Sequence, residues 1–165
     1  MPDGHALPAM RVAVVTVSDR ASSGDRADRT GPVLVAAVEA AGHVIHDTRL
    51  IPDGEDAVAA CIRDLAFDHD VVLLAGGTGI GPRDRTPEGV AAACDPMVPG
   101  VGEAIRAASR ARVPAVDLSR ACAGVRGRCL VVALPGSPGG AVDAWNAVAG
   151  IAPHAVAVIG GAGHD

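Results

Sequence analysis

The residues best suited to chemistry in this 165-residue chain gather in three short stretches, each directly behind an apolar run. The most distinctive is Gly76-Gly77-Thr78-Gly79-Ile80-Gly81-Pro82. Glycine lets the backbone approach a ligand closely and turn its N–H groups toward it, which suits phosphate oxygens. Arg83, Asp84, Arg85, Thr86 and Pro87 follow at once. An acid beside a polyphosphate repels it unless a divalent cation bridges the two, and Mg²⁺ is typically held by one or two carboxylates together with substrate phosphates. Asp53 and Asp19, each at the end of an apolar run, are the candidates to complete such a ligand set with Asp84. As bland structure, Asp53 would be a helix N-cap and Asp19 a turn former.

The third stretch, Pro135-Gly136-Ser137-Pro138-Gly139-Gly140, offers a hydroxyl and further backbone donors at the start of a helix, where the helix dipole favours anions. Pro99-Gly100-Val101-Gly102-Glu103 and Leu118-Ser119-Arg120 add candidate polar contacts, with an ordinary helix start and strand end as their ligand-free alternatives. The glycine loop is neither of two familiar phosphate motifs. A dinucleotide fingerprint running from Gly77 would need glycine at position 82 and finds Pro82, and no Gly-Lys-Ser/Thr triplet exists for a P-loop.

Composition removes several other classes of function. All 14 basic residues are arginine, which excludes Schiff-base chemistry and any phosphate-binding lysine. The four cysteines, Cys61, Cys94, Cys122 and Cys129, form no C-x-x-C pair and read as plain buried thiols. His43 and His46 fall three apart on an expected strand, so they point to opposite faces and do not chelate one metal. A net charge of −5 and only two aromatic rings, Phe67 and Trp145, argue against nucleic acid as a partner. The apolar runs are far shorter than the ~20 residues of a membrane span. The first residues show no basic start followed by an apolar stretch. The expected setting is the cytoplasm.

These stretches must be held by strands and helices, and the apolar pattern places them. Arg11 to Ser18 is a β-branched run without turn residues, the mark of a strand buried on both faces. A polar loop follows, then a helix from about Thr30, with Thr30 as N-cap and Gly42 as stop signal. His43 to Ile51 reads as a strand, Glu55 to Phe67 as a helix with Val58, Ile62 and Leu65 on one face, and Asp70 to Ala75 as the third strand. Helices are expected near Thr86-Pro87, over Val101 to Arg110, around Ala141 to Ala149 and over 151 to 159. Ala115 to Ser119 reads as a short strand and Arg128 to Leu134 as the last clear one. Strands alternating with helices imply a mostly parallel sheet covered on both faces, a single-domain α/β fold. The domain runs over 10–160, between an N-terminal tail at 1–9 and a C-terminal tail at 161–165. In such sheets a ligand lies outside the carboxyl ends of the strands. The loops after Val17, Ala75 and Leu134 all leave carboxyl ends, and together they outline one site.

With those residues assembled, the chain resembles the molybdopterin adenylyltransferase family, the Mog/MoaB type of molybdenum cofactor biosynthesis that shares its fold with the gephyrin G domain. The resemblance is carried by TVSDR at 16–20, DRTGP at 28–32, IPD at 51–53, GGTG at 76–79 with RDRTPE at 83–88, PGVGEAIR at 99–106, LSR at 118–120 and PGSP at 135–138. It implies a three-layer α/β/α fold around a mixed sheet, assembled as a homotrimer, with some members hexameric. It also implies Mg²⁺-dependent transfer of AMP from ATP to the terminal phosphate of molybdopterin, with release of pyrophosphate. By motif matching, Asp53 and Asp84 fall on the family's catalytic, Mg-associated acids. Thr16, Ser18, Asp19, Gly76, Gly77, Thr78, Gly79 and Thr86 fall on its substrate contacts. So do Gly102, Glu103, Ser119, Arg120, Pro135, Gly136 and Ser137. Two departures stand out: Val101 sits where the family often has Phe, and Gly127-Arg128 where it often has an Arg-Lys pair, so that one phosphate contact is either missing or supplied by Arg126 instead.

Arg83, Arg85 or Arg106 are then the expected cations for the polyphosphate. The main rival is a non-catalytic molybdopterin-binding scaffold of the MoaB type, and a more distant one is another phosphate-ester enzyme using the same loops.

Overall fold

The computed structural model of the chain describes residues 8–163. Residues 1–7 of the expected N-terminal tail and 164–165 of the C-terminal one lie outside the described residues. Between them a five-stranded sheet runs in the order β2-β1-β3-β5-β4. β1 (Arg11–Val17), β2 (Val44–Ile51), β3 (Val71–Ala75) and β5 (Cys129–Leu134) are parallel, and β4 (Cys122–Arg126) lies antiparallel on β5. The chain passes from β1 to β2 on one side of this pair and from β3 toward β5 on the other. That point, between β1 and β3, is where open α/β sheets form a crevice.

The core follows from strand alternation. Val12, Val14, Val71, Leu73, Val132 and Leu134 point to one face, where they meet α2 (Thr30–Ala40), α5 (Pro99–Ser109), α6 (Pro138–Ala149) and α7 (Ala152–Ile159). Ala13, Val15, Val72, Leu74 and Val131 point to the other, against α3 (Glu55–Leu65) and α4 (Thr86–Ala93). The result is a three-layer α/β/α sandwich. Burial on both faces is why the three central strands read as unbroken apolar runs. Trp145 on α6 is fully buried.

The structure changes several expected details. Ala115 to Ser119 is not a strand: Pro114–Leu118 forms a 3-10 turn, and the edge strand comes later as β4. Gly124 in the middle of β4 reads as a strand breaker, yet its missing side chain is what lets the strand lie flat. A Cβ there would sit 2.7 Å from the Cβ of Cys94 and 2.9 Å from the Met97 sulfur. The polar loop after β1 contains a short helix, α1 (Asp19–Ser22), capped by Ser18, whose hydroxyl oxygen accepts from the Ala21 N–H at 3.2 Å. Thr30 is not the N-cap of α2. Asp28 takes that work, its carboxylate accepting from the N–H groups of Thr30 at 3.0 Å and Gly31 at 2.9 Å. No single helix among the described residues is long and apolar enough to cross a membrane.

Candidate active site

A cleft of about 410 Å³ opens at the carboxyl ends of the strands. Thr16, Val17 and Ser18 reach it from β1, Ala75, Gly76 and Gly77 from β3, and Gly136, Ser137 and Pro138 from β5. Asp53, from the loop after β2, and Asp84 line the same cleft, and residues 26–30 close its remaining side. The three strand-end loops and the two acids thus converge on one place.

The glycine loop is held in shape by the protein itself. Gly76 has φ 120° and Gly77 φ 66°, values that suit residues without a side chain. A Cβ at Gly76 would also lie 2.1 Å from the Val17 carbonyl oxygen, and one at Gly77 2.3 Å from the Thr86 hydroxyl. Thr86 is fully buried, and its hydroxyl donates to the Gly76 carbonyl at 2.7 Å. Arg120 fastens the rest of the loop. Its backbone N–H donates to the Thr78 carbonyl at 2.7 Å, and its guanidinium to the carbonyls of Gly79 at 2.8 Å and Asp84 at 2.6 Å. Glu88 pairs with that guanidinium in turn. Burial alone would raise the Glu88 carboxyl, but the Arg120 hydrogen bond and charge outweigh it and hold the group below the ordinary glutamate value. The Asp84 carboxylate accepts from the Gly81 N–H at 2.9 Å, which sets its place against the loop.

The acids are joined across the cleft floor. Asp19 N–H donates to the Asp53 carboxylate at 2.9 Å, and Asp53 N–H returns the bond to the Asp19 carboxylate at 3.1 Å. Arg83 pairs with Asp19 at 3.0 Å and donates to the Asp53 carbonyl at 3.1 Å. The hydrogen bond from Arg83 to the Asp19 carboxylate holds that carboxyl below its ordinary value. Asp53 goes the other way: burial raises it first, with the negative fields of Asp19 and Asp84 adding to the effect. Asp53 is not the helix cap, because Gly54, at φ 136°, occupies the cap position of α3, whereas Asp19 does open the short helical turn after β1.

Of the residues singled out from the sequence, Thr16, Ser18, Asp53, Gly76, Gly77, Asp84, Gly136 and Ser137 line the cleft. Asp19, Thr78, Gly79, Thr86 and Arg120 stand behind them and shape the walls. Pro135 is half-buried at the end of β5, and the bare Gly136 lets the two loops touch, since a Cβ there would meet the Gly76 Cα at 3.0 Å. Gly102 on α5 packs where a Cβ would lie 2.2 Å from the Ala121 carbonyl oxygen. Glu103 is exposed on that helix, and the Ser119 hydroxyl accepts from the Ala121 N–H at 3.3 Å. Pro135, Gly102, Glu103 and Ser119 do not line the cleft.

The expected cations are already engaged. Arg83 is tied to Asp19, Arg85 to Glu55 at 2.9 Å and Glu88 at 3.4 Å, and Arg106 to the carbonyls of Ser119 and Ala121. Arg126 donates to the Ala93 carbonyl and Arg128 to that of Gly160. The arginines that line the cleft are Arg26 and Arg29, which sequence reasoning passed over. Asp28 sits between them and accepts from the Thr16 hydroxyl at 2.8 Å, stapling this segment to β1. A repeated Asp-Arg pattern at 25–29, within the polar loop between β1 and α2, was the available signal.

Comparison with known proteins now bears on the cleft. The family model described as a probable molybdopterin binding domain matches residues 13–154. The molybdenum cofactor biosynthesis bifunctional protein of Synechococcus elongatus is 35% identical over 160 residues, 96% of this chain and 50% of its own length. The chain therefore spans half of that relative. The molybdopterin adenylyltransferase of Helicobacter pylori strain J99 is 31% identical over 157 residues, 93% of this chain and 89% of the relative. Among solved structures, the molybdopterin biosynthesis enzyme MoaB from Thermus thermophilus superposes with TM-score 0.86 at 37% identity, covering 93% of this chain and 98% of that one.

Proposed function

From the premise that this chain belongs to the family of molybdopterin-binding domains, we propose that its cleft transfers AMP from ATP to molybdopterin, giving adenylylated molybdopterin and pyrophosphate. The observation that carries this reading is the convergence of Asp53 and Asp84 with three glycine-bearing strand-end loops on one cleft. A terminal phosphate oxygen of molybdopterin attacks the α-phosphorus of ATP. The bond from that phosphorus to the bridging oxygen breaks, and pyrophosphate leaves with the electron pair. No protein nucleophile is needed, so the chain's work is to position and to stabilise charge.

The residues divide that work by chemistry. The helix start behind Ser137 lies at the cleft with the positive end of its dipole, suited to phosphate oxygens, while the Gly76 N–H is taken by the Leu134 carbonyl at 3.0 Å, so the glycines serve by letting a ligand come close to the backbone. Arg26 and Arg29 balance the polyphosphate charge from the opposite wall. Asp53 and Asp84 would hold Mg²⁺. The fit is electrostatic: Asp19 is already matched by Arg83, and of the three carboxylates that line the cleft Asp28 is spent on the Thr16 hydroxyl and the N–H groups of Thr30 and Gly31, which leaves Asp53 and Asp84, with burial already disfavouring charge on Asp53. Among the described residues Asp19, Asp53 and Asp84 form no three-ligand metal cluster, so such an ion would draw its remaining ligands from substrate phosphates. When bound, Mg²⁺ supplies charge stabilisation at the phosphoryl groups.

A homotrimer in the cytoplasm completes the proposal. Exposed apolar side chains such as Val33, Val113 and Leu118 offer surface for assembly, and four free thiols suit a reducing compartment. A monomeric mass by light scattering would remove the trimer.

The reaction itself is tested by product analysis. Purified protein with molybdopterin, ATP and Mg²⁺ should yield adenylylated molybdopterin and pyrophosphate in equal amounts. A scaffold would bind the pterin and leave ATP intact, and that result would overturn the enzymatic reading.

A further inference from the structure

At the other end of the strands from the cleft, two imidazoles meet at the edge of the sheet. β2 stays in register with β1 as far as the pair Val12–Ile45, and the next pair is Ala13–Asp47. His46 is the extra residue, a β-bulge, and a bulge re-aims a side chain that regular pleating would send elsewhere. Its ring lies 5.2 Å from that of His69, centroid to centroid, with the planes at 63°.

His69 is buried, 7% exposed, just before β3. Its Nδ1 lies 2.7 Å from the Leu65 carbonyl oxygen. A carbonyl can only accept, so Nδ1 carries the proton and Nε2 of the neutral ring presents a lone pair. That Nε2 is buried and has no hydrogen-bond partner among the described residues. Burying an acceptor without a partner is costly, and the ring is in the form in which histidine ligates metals: the far N–H pinned to a backbone carbonyl, the near nitrogen free. The neighbouring acids have other work. Asp70 accepts from the Arg11 N–H at 2.7 Å, and Asp47 pairs with Arg49 at 3.1 Å.

We propose that His46 and His69 form a two-imidazole site for a borderline divalent cation of the Zn²⁺, Ni²⁺ or Cu²⁺ class. Imidazole favours these ions over the oxygen-preferring Mg²⁺ assigned to the cleft. Among the described residues no third His, Cys, Asp or Glu joins the pair, so solvent or a small exogenous ligand completes the coordination. His46, exposed at the sheet edge, is the half that turns to admit the ion toward the Nε2 of His69.

The test uses the full untagged chain with Zn²⁺ as the probe, followed by imidazole nitrogen NMR and by thermal unfolding. Zinc should shift the Nε2 signal of His69 together with one nitrogen of His46. It should also raise Tm by about 5–10 °C at a concentration a hundredfold above the dissociation constant. His69→Gln changes a buried side chain and can unfold the protein, so the exposed His46→Ala carries the decision: it should stay folded and lose both responses. Asp53→Asn should keep them. An equal rise in Tm in His46→Ala, an unmoved His69 signal in the parent chain, or loss of the response in Asp53→Asn would each overturn the assignment.

Discussion

Thr86 separates two accounts of the glycine loop, one in which its hydroxyl touches substrate and one in which it builds the loop. The structure favours the second. The side chain is fully buried, and its hydroxyl donates at 2.7 Å to the carbonyl of Gly76, itself a buried residue. Thr86→Val replaces that hydroxyl by a methyl group of similar size and strands the Gly76 carbonyl. An unsatisfied buried acceptor costs about 1–3 kcal/mol, so a loss of about 2 kcal/mol is expected. For a domain of this length that lowers Tm by about 4–8 °C. Thr86→Ser keeps the donor and loses only a methyl, so it should recover about half of the deficit. Thermal unfolding of the three proteins without ligand gives the answer. If Thr86→Val melts within about 1 °C of the parent while adenylyl transfer collapses, the hydroxyl serves the substrate and the argument from the Gly76 carbonyl is wrong.

Other expectations follow from the same geometry. Arg120→Met removes the guanidinium from the carbonyls of Gly79 and Asp84 and leaves Glu88 without its main partner, which should cost about 2 kcal/mol in denaturant unfolding and lower kcat more than it raises KM. Arg26→Ala and Arg29→Ala, at exposed positions on the cleft, should raise the KM for ATP several-fold, more at low salt, with Tm unchanged by calorimetry. Asp53 is held above its ordinary value by burial, so its charged form costs stability that is present at neutral pH and is relieved as pH falls through the raised value toward about 3.9. In Mg²⁺-free buffer Asp53→Asn should therefore melt no lower than the parent at neutral pH, and a pH series should show the difference closing in acid. Burial pushes the thiols of Cys94 and Cys122 up to about 11 and that of Cys129 up to about 12. At pH 8 about one thiol in a thousand of the first two is ionised, so mass spectrometry should find none of the three alkylated until the protein unfolds.

What could be read in advance was whatever depends on burial and on chain direction. β1, β3 and β5 are covered on both faces, and their unbroken apolar runs say so. Because parallel strands share a direction, the loops after them had to share an end, and that alone located the cleft. β4 was hidden because Gly124 mimics a break until Cys94 and Met97 are seen to fill its place. Arg26 and Arg29 were hidden for another reason: their loop folds back over the strand ends only once Asp28 caps α2 and accepts from Thr16. A hydroxyl or guanidinium also reads the same in sequence whether it faces a ligand or a carbonyl. Thr86 and Arg120 could therefore be marked as important before their partners were known, and the same ambiguity let Arg83, Arg85 and Arg106 stand as phosphate ligands until their acids and carbonyls were in view.

The central claim, that Asp53 and Asp84 serve AMP transfer within one cleft, is tested most directly by single-turnover transfer in Asp84→Asn, Asp53→Asn and the double variant. The change keeps size and removes charge, so folding and molybdopterin binding should persist. Loss of a transition-state contact of ~3 kcal/mol slows transfer about a hundredfold. Because two groups acting on one ion behave as a unit, the double variant should be little slower than the worse single one. Full activity in Asp84→Asn, or losses that simply multiply in the double variant, would contradict the account.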